Sequence, residues 1–210
     1  MNRESGNGGE FRSRLLRCGL ALAVALALGA CHHHPTGETP GSYVASSTVN
    51  GLPDVPLVDQ DGHDLSLASL KGKPVLIDFF YTTCRGPCSI LTNKMGLVAR
   101  LLGPELGPKI TMVSVTLDPE HDHPAQLKEY MRKNSANRRG WIFLTGSPAQ
   151  IEQVLAAYGL RRQREADGSV THMTTVFLLG PDGRQVRIYD GLKLAPTTVG
   201  TDVLRMVDEG

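Results

Sequence analysis

Apolar and polar residues alternate in two rhythms from Gly51 onward. Residues 53–58 and 64–67 flank the turn Asp59-Gln60-Asp61-Gly62 and predict a short hairpin. The stretch 74–81 is apolar almost without interruption, as a strand buried on both faces requires. Apolar residues then recur at close to 3.6-residue spacing between Ile90 and Leu102, predicting a helix stopped at Gly103-Pro104. Residues 110–117 predict a second buried strand. A helix follows from Pro124 to about Asn134, with Asp122 as its N-cap. Residues 141–144 predict a short strand, and Ser147-Pro148 opens a helix through Tyr158 with Gly159 just past its end. Residues 175–179 and 185–189 flank Pro181-Asp182-Gly183 as an antiparallel hairpin, and a helix over 198–207 ends the pattern. Alternating strands and helices followed by a hairpin predict an α/β domain over 51–210, with a mixed central sheet and helices on both faces.

The first fifty residues follow neither rhythm. Arg12, Arg14 and Arg17 precede an uncharged apolar run from Cys18 to Ala30, too short to span a bilayer and of the length of a signal-peptide core. Residues 1–30 are therefore expected to be a signal peptide. Leu28-Gly29-Ala30-Cys31 resembles a bacterial lipobox, which makes Cys31 the expected lipidation site. Residues 31–50, including His32 to His34, lack the apolar content to fold and suit a flexible tether. The three histidines offer a metal ion no fixed geometry. The expected location is the periplasm, attached to a membrane by lipid, with the inner membrane favoured.

Composition narrows the partners. The chain carries 22 basic and 21 acidic residues, of which residues 1–30 take four Arg and two Glu, leaving a nearly neutral domain with no electrostatic footprint for nucleic acid. Arg161, Arg162 and Arg164 read as a solvated loop. With Cys18 in the signal and Cys31 in the lipobox, the four cysteines reduce to Cys84 and Cys88 in the folded part. A structural disulfide stabilises by closing a long loop, and this pair would close almost none. That points to chemistry.

Cys84 follows the buried strand, and Cys88 is expected about one turn into the next helix, so that both sulfurs share a face. A helix N-terminus stabilises a thiolate, and Arg85 adds positive charge. A thiolate attacks disulfides, and a thiolate pair is a soft site for Cu(I). Spacing alone leaves both chemistries open. Asp78, six residues before Cys84 in the buried strand, is either a candidate for proton transfer at the thiols or a hydrogen-bonded strand residue.

The element order is that of a thioredoxin-like fold, and the motifs carry a closer resemblance. Phe79-Phe80-Tyr81-Thr82-Thr83-Cys84-x-x-x-Cys88, Val115-Thr116-Leu117-Asp118-Pro119-Glu120-x-Asp122-x-Pro124, Leu144-Thr145-Gly146, and His172 before Val176-Phe177-Leu178 resemble the Sco/SenC proteins over roughly residues 52–191. The resemblance implies copper held by Cys84, Cys88 and His172, with Asp118 near the site. Cu(I) is the expected state, with Cu(II) an alternative. It further implies delivery of copper to the CuA-bearing subunit of cytochrome c oxidase, or reduction of that site's cysteines. Another cupredoxin-type protein is an alternative recipient, and an upstream periplasmic copper donor and a thiol reductant complete the partners. The protein would then be a metallochaperone with thiol–disulfide reductase capability. His172 stands where thioredoxins place a proline, which favours a metal clasp.

The sequence also departs from the family. Its members commonly carry Pro after each Cys, where Arg85 and Ser89 stand here, and Thr171 rather than an acidic residue precedes His172. Cys-Arg-Gly-Pro-Cys instead resembles the thioredoxin motif with one residue inserted. A periplasmic thiol–disulfide oxidoreductase and a redox or copper sensor remain the alternatives. His63, His121 and His123 read as solvated.

Overall fold

The computed structural model describes residues 42–43, 51–84, 86–171 and 174–208. The expected signal peptide, Cys31, Arg85, His172 and Met173 lie outside them.

Among the described residues there are ten strands and four α-helices: β1 (Ser42–Tyr43), β2 (Pro56–Asp59), β3 (Asp64–Ser66), β4 (Val75–Phe80), α1 (Pro87–Leu102), β5 (Thr111–Thr116), α2 (Pro124–Lys133), β6 (Trp141–Thr145), α3 (Pro148–Ala157), β7 (Gln163–Arg164), β8 (Val170–Thr171), β9 (Thr175–Leu179), β10 (Gln185–Asp190) and α4 (Pro196–Asp208). Eight strands form one sheet in the order β1-β10-β9-β4-β5-β6-β2-β3. β4, β5 and β6 run parallel, and their neighbours β9 and β2 run antiparallel to them. β7 and β8 form a separate two-stranded hairpin. The predicted mixed α/β architecture is therefore present, with β1, β7 and β8 as additions that two-residue strands hide from any periodicity; β1 lies within the segment expected to be a tether and pairs with β10.

Every residue of β4 and β5 is buried. Alternate side chains of β4 serve two cores. Phe79 meets Tyr158, just past the end of α3, at a centroid distance of 5.6 Å, and Phe177 of β9 at 6.2 Å. Phe80 points the other way, to Tyr130 of α2 at 4.9 Å and Phe143 of β6 at 5.1 Å. Thr92 of α1 hydrogen-bonds Tyr130 at 2.8 Å, and α4 packs on α1 where Gly200 meets Leu101. Helices α1, α2 and α4 thus cover one face and α3 the other. Along α1, Leu91, Met95, Val98 and Leu102 are buried, while Ile90, Leu97 and Leu101 remain exposed.

Each helix begins with a proline, at 87, 124, 148 and 196, whose fixed φ suits a first helical turn that needs no N–H bond. Ser147 and Gln150 close a full capping box on α3. Two expectations change. His123, not Asp122, is the N-cap of α2, because the Asp122 side chain is engaged elsewhere. And α1 starts at Pro87, so Cys84 precedes the helix and Cys88 is its second residue.

Gly140 enters β6 with φ of +85°, and a Cβ there would lie 2.3 Å from the Gly107 backbone nitrogen. Gly159, with φ of +64°, faces open space. Gly159→Ala therefore carries only the left-handed backbone cost, about 1–2 kcal/mol. Gly140→Ala must also displace backbone, so its urea midpoint should fall below that of Gly159→Ala.

Candidate metal and thiol site

β4 ends at Phe80, and the chain leaves the sheet through Tyr81-Thr82-Thr83 to Cys84. The Cys84 N–H donates to the Tyr81 carbonyl at 3.3 Å, which curls this segment beneath α1. Gly86, the N-cap of α1, has no side chain to satisfy the helix's first amides. Those amides turn to sulfur instead. Cys84 accepts a hydrogen bond from the Cys88 thiol, with further bonds from the backbone at Gly86 and Cys88 and from the Tyr81 hydroxyl. These donors hold the Cys84 thiol well below its ordinary value, against the opposing effect of partial burial. The Cys88 thiol is pushed up because it is the donor to Cys84 and is buried. Cys84 and Cys88 are not joined in a disulfide. One half-buried thiolate and one buried thiol thus sit together at a helix N-terminus.

Beneath them lies Asp78, buried on the α1 side of β4. Its Oδ1 accepts the Ser114 hydroxyl, whose oxygen accepts Trp141 Nε1–H at 3.0 Å. Its Oδ2 has no hydrogen-bond partner among the described residues. Burial raises the carboxyl to about 7, only partly opposed by the Ser114 bond. The Asp78 carboxyl thus keeps its proton up to near neutral pH.

Asp118 also comes to this end of the sheet, and it is buried. It accepts Arg164 Nη2, and His121 Nδ1 lies 2.9 Å away. Arg161 and Arg164 are exposed as expected, though Arg164 is ion-paired with Asp118 and Glu120, whereas Arg162 is not solvated. Arg162 donates to the Leu117 carbonyl at 2.6 Å, to Glu120 at 3.1 Å and to Glu152 at 2.8 Å, and its side chain is 11% exposed. Its bonds hold Glu120 down to about 2. Sequence reasoning missed this cluster because its acidic members lie over forty residues upstream or in another helix. His121 is exposed as expected, and so is His63. Asp59, Asp61 and His63 gather at the first hairpin turn, but Asp59 is spent on the turn's own amides and Asp61 on Lys128.

Tyr81 and Thr83 open onto a cleft of about 380 Å³ whose other wall is Asp167 to Ser169, the tip of the β7–β8 hairpin. The Tyr81 hydroxyl accepts the Val170 N–H at 3.3 Å. The hairpin that leads into His172 therefore lies against the cysteine loop. Two sulfur donors, one of them already a thiolate, suit a soft monovalent ion.

The raised Asp78 carboxyl has a thermodynamic consequence. Between its ordinary value near 4 and about 7, the folded protein keeps a proton the unfolded chain has lost. Stability should therefore fall as pH rises through this interval, by up to about 1.4 kcal/mol per unit from this group. Asp78→Asn should remove that slope, so urea unfolding at pH 4.5 and pH 7 should show the variant gaining on wild type at the higher pH.

The SCO1/SenC family profile matches residues 50–208. An SCO1 protein homolog of Bacillus subtilis is 34% identical over 141 residues, covering 66% of this chain and 72% of the relative. The mitochondrial SCO2 homolog of Bos taurus is 32% identical over 139 residues, covering 63% of this chain and 51% of that protein. The chain thus spans only about half the length of the mitochondrial relative. Among solved structures, copper-bound ScoI of Bradyrhizobium japonicum superposes with a TM-score of 0.65 at 31% identity, covering 74% of this chain and 98% of ScoI. BsSco, a member of the Sco family of cytochrome c oxidase assembly proteins with an identified disulfide switch, gives 0.66 at 28% identity, covering 81% and 96%. With this fold, this profile match and these neighbours, the chain belongs to the SCO1/SenC family and has its thioredoxin-like architecture.

Proposed function

We propose that this protein is a membrane-tethered periplasmic copper carrier that serves cytochrome c oxidase. The observation that carries the reading is the pair of thiols, not joined in a disulfide, at the start of α1, one held as thiolate, in a fold shared with copper-bound ScoI. Copper is cargo here. Cys84 and Cys88 supply two soft ligands and His172 the third, which makes Cu(I) the preferred state. The half-buried position of Cys84 gives a recipient access to the site. Residues 1–30 act as a signal peptide and a lipid on Cys31 holds the domain to the inner membrane, with residues 32–41 as tether up to the point where Ser42 and Tyr43 join the sheet. The recipient is the CuA-bearing subunit or a similar copper protein, loaded copper comes from a periplasmic donor, and a thiol reductant keeps the pair reduced.

A second capability is supported by the unequal acidities of the pair and by Asp78. Thiolate Cys84 attacks a sulfur of the recipient's disulfide, the S–S bond breaks, and the departing sulfur takes a proton. Asp78, when ionised, receives the Cys88 proton, and the Cys88 sulfur displaces the second recipient sulfur from Cys84. Solvent supplies the proton taken by the first departing sulfur and Asp78 passes the Cys88 proton to the second, so the recipient gains two electrons and two protons, and the Cys84–Cys88 disulfide that remains is reset by the thiol reductant.

Competition of the reduced full chain in detergent against a Cu(I) chelator should show one tightly bound ion per chain. Cys84→Ser, Cys88→Ser and His172→Ala should each weaken binding by at least about tenfold, equivalent to 1.4 kcal/mol. Affinity unchanged in His172→Ala would remove the third ligand, and no tight binding in wild type would leave only the thiol reaction.

A further inference from the structure

Asp118 and Asp122 are both buried and lie at the two ends of one turn between β5 and α2. The N–H groups of His121 and Asp122 both donate to the Asp118 carbonyl, at 3.0 and 2.8 Å. Thr116, the last residue of β5, locks both ends. Its hydroxyl donates to Asp122 Oδ2 and accepts the Asp118 N–H at 3.0 Å. The two carboxylates serve different neighbours. Asp122 takes the Thr82 N–H at 3.0 Å and also the Thr82 hydroxyl, gripping the loop two residues before Cys84. Asp118 takes Arg164 of β7, in the hairpin whose second strand ends one residue before His172.

We propose that the turn 118–122 is a rigid spacer that sets the separation of the two halves of the copper site, with Asp122 positioning the cysteine loop and Arg164, through Asp118, positioning the hairpin. The assignment of His172 to copper rests on the function proposed above, while the spacer itself rests on the hydrogen bonds. Ionic and charge-assisted bonds of buried carboxylates are stiff and directional. Their use at both ends of a single turn means that neither the loop nor the hairpin can shift without breaking one of them. Tyr81, which accepts the Val170 N–H, closes the third side of the same frame.

Four variants of the full chain in detergent test this: Asp122→Leu, Asp122→Asn, Arg164→Ala and Arg164→Ala combined with His172→Ala. In the metal-free protein, amide exchange at Val170 should accelerate about tenfold in Arg164→Ala, and at Cys84 in Asp122→Leu, with the amides of β4 and β5 unchanged. Cu(I) affinity should drop about 10- to 100-fold in both, the range of other residues that orient ligands without touching the ion. Asp122→Asn should restore most of it, because an amide oxygen still accepts the Thr82 N–H and the amide NH2 can donate to the Thr82 hydroxyl. The Arg164→Ala loss should vanish in the His172→Ala background, since a misplaced hairpin costs nothing once its ligand is gone. Unchanged exchange at Val170 and Cys84 would overturn the spacer, as would an Arg164→Ala loss that persists without His172. Absence of Cu(I) binding in wild type would remove the copper reading alone, and the exchange rates would then decide the spacer.

Discussion

The junction between the end of β4 and the start of α1 governs this molecule's chemistry. A strand buried on both faces must stop where its backbone bonds end, and the helix that follows begins with amides that no helical carbonyl can satisfy. Gly86 supplies no side chain to cap them, so they turn to the sulfur of Cys84. The acidity of that thiol thus comes first from the Cys88 thiol that donates to it, with the helix-start amides and the Tyr81 hydroxyl adding to the effect.

This junction is held from below and from the side. Below, Asp78 is fixed by Ser114, which Trp141 fixes in turn, so residues of three parallel strands form one hydrogen-bonded row under the thiols. From the side, Asp122 grips Thr82. The residues that shape the site thus come from the sheet and from the turn after β5, while the thiols lie on the loop and first helical turn above them, Cys88 buried and Cys84 half-buried. A rigid frame with one half-buried sulfur at its edge suits a site that must pass its contents to another protein.

Much of this was readable along the chain. β4 and β5 announce themselves as apolar runs because both faces are covered, and the two hairpins because their turns need glycine after aspartate. Cys84, Cys88 and Asp78 were identifiable because strand, turn and helix place them locally. What stayed hidden depends on residues far apart in sequence. Asp122 before a proline helix looks like a cap, and only the folded chain reveals that Thr82, forty residues earlier, has claimed its oxygens. The arginine at 162 looks solvated for the same reason. Periodicity reports which face is covered, and it carries no information about which distant partner covers it.

The row under the thiols has one more property. Trp141 is the only tryptophan in the chain, and its indole N–H ends the row that begins at Asp78. Loss of the Asp78 proton changes the charge two hydrogen bonds from the indole ring. The protein therefore contains its own fluorescent gauge of the proton beneath the cysteines, readable in the native chain without a label.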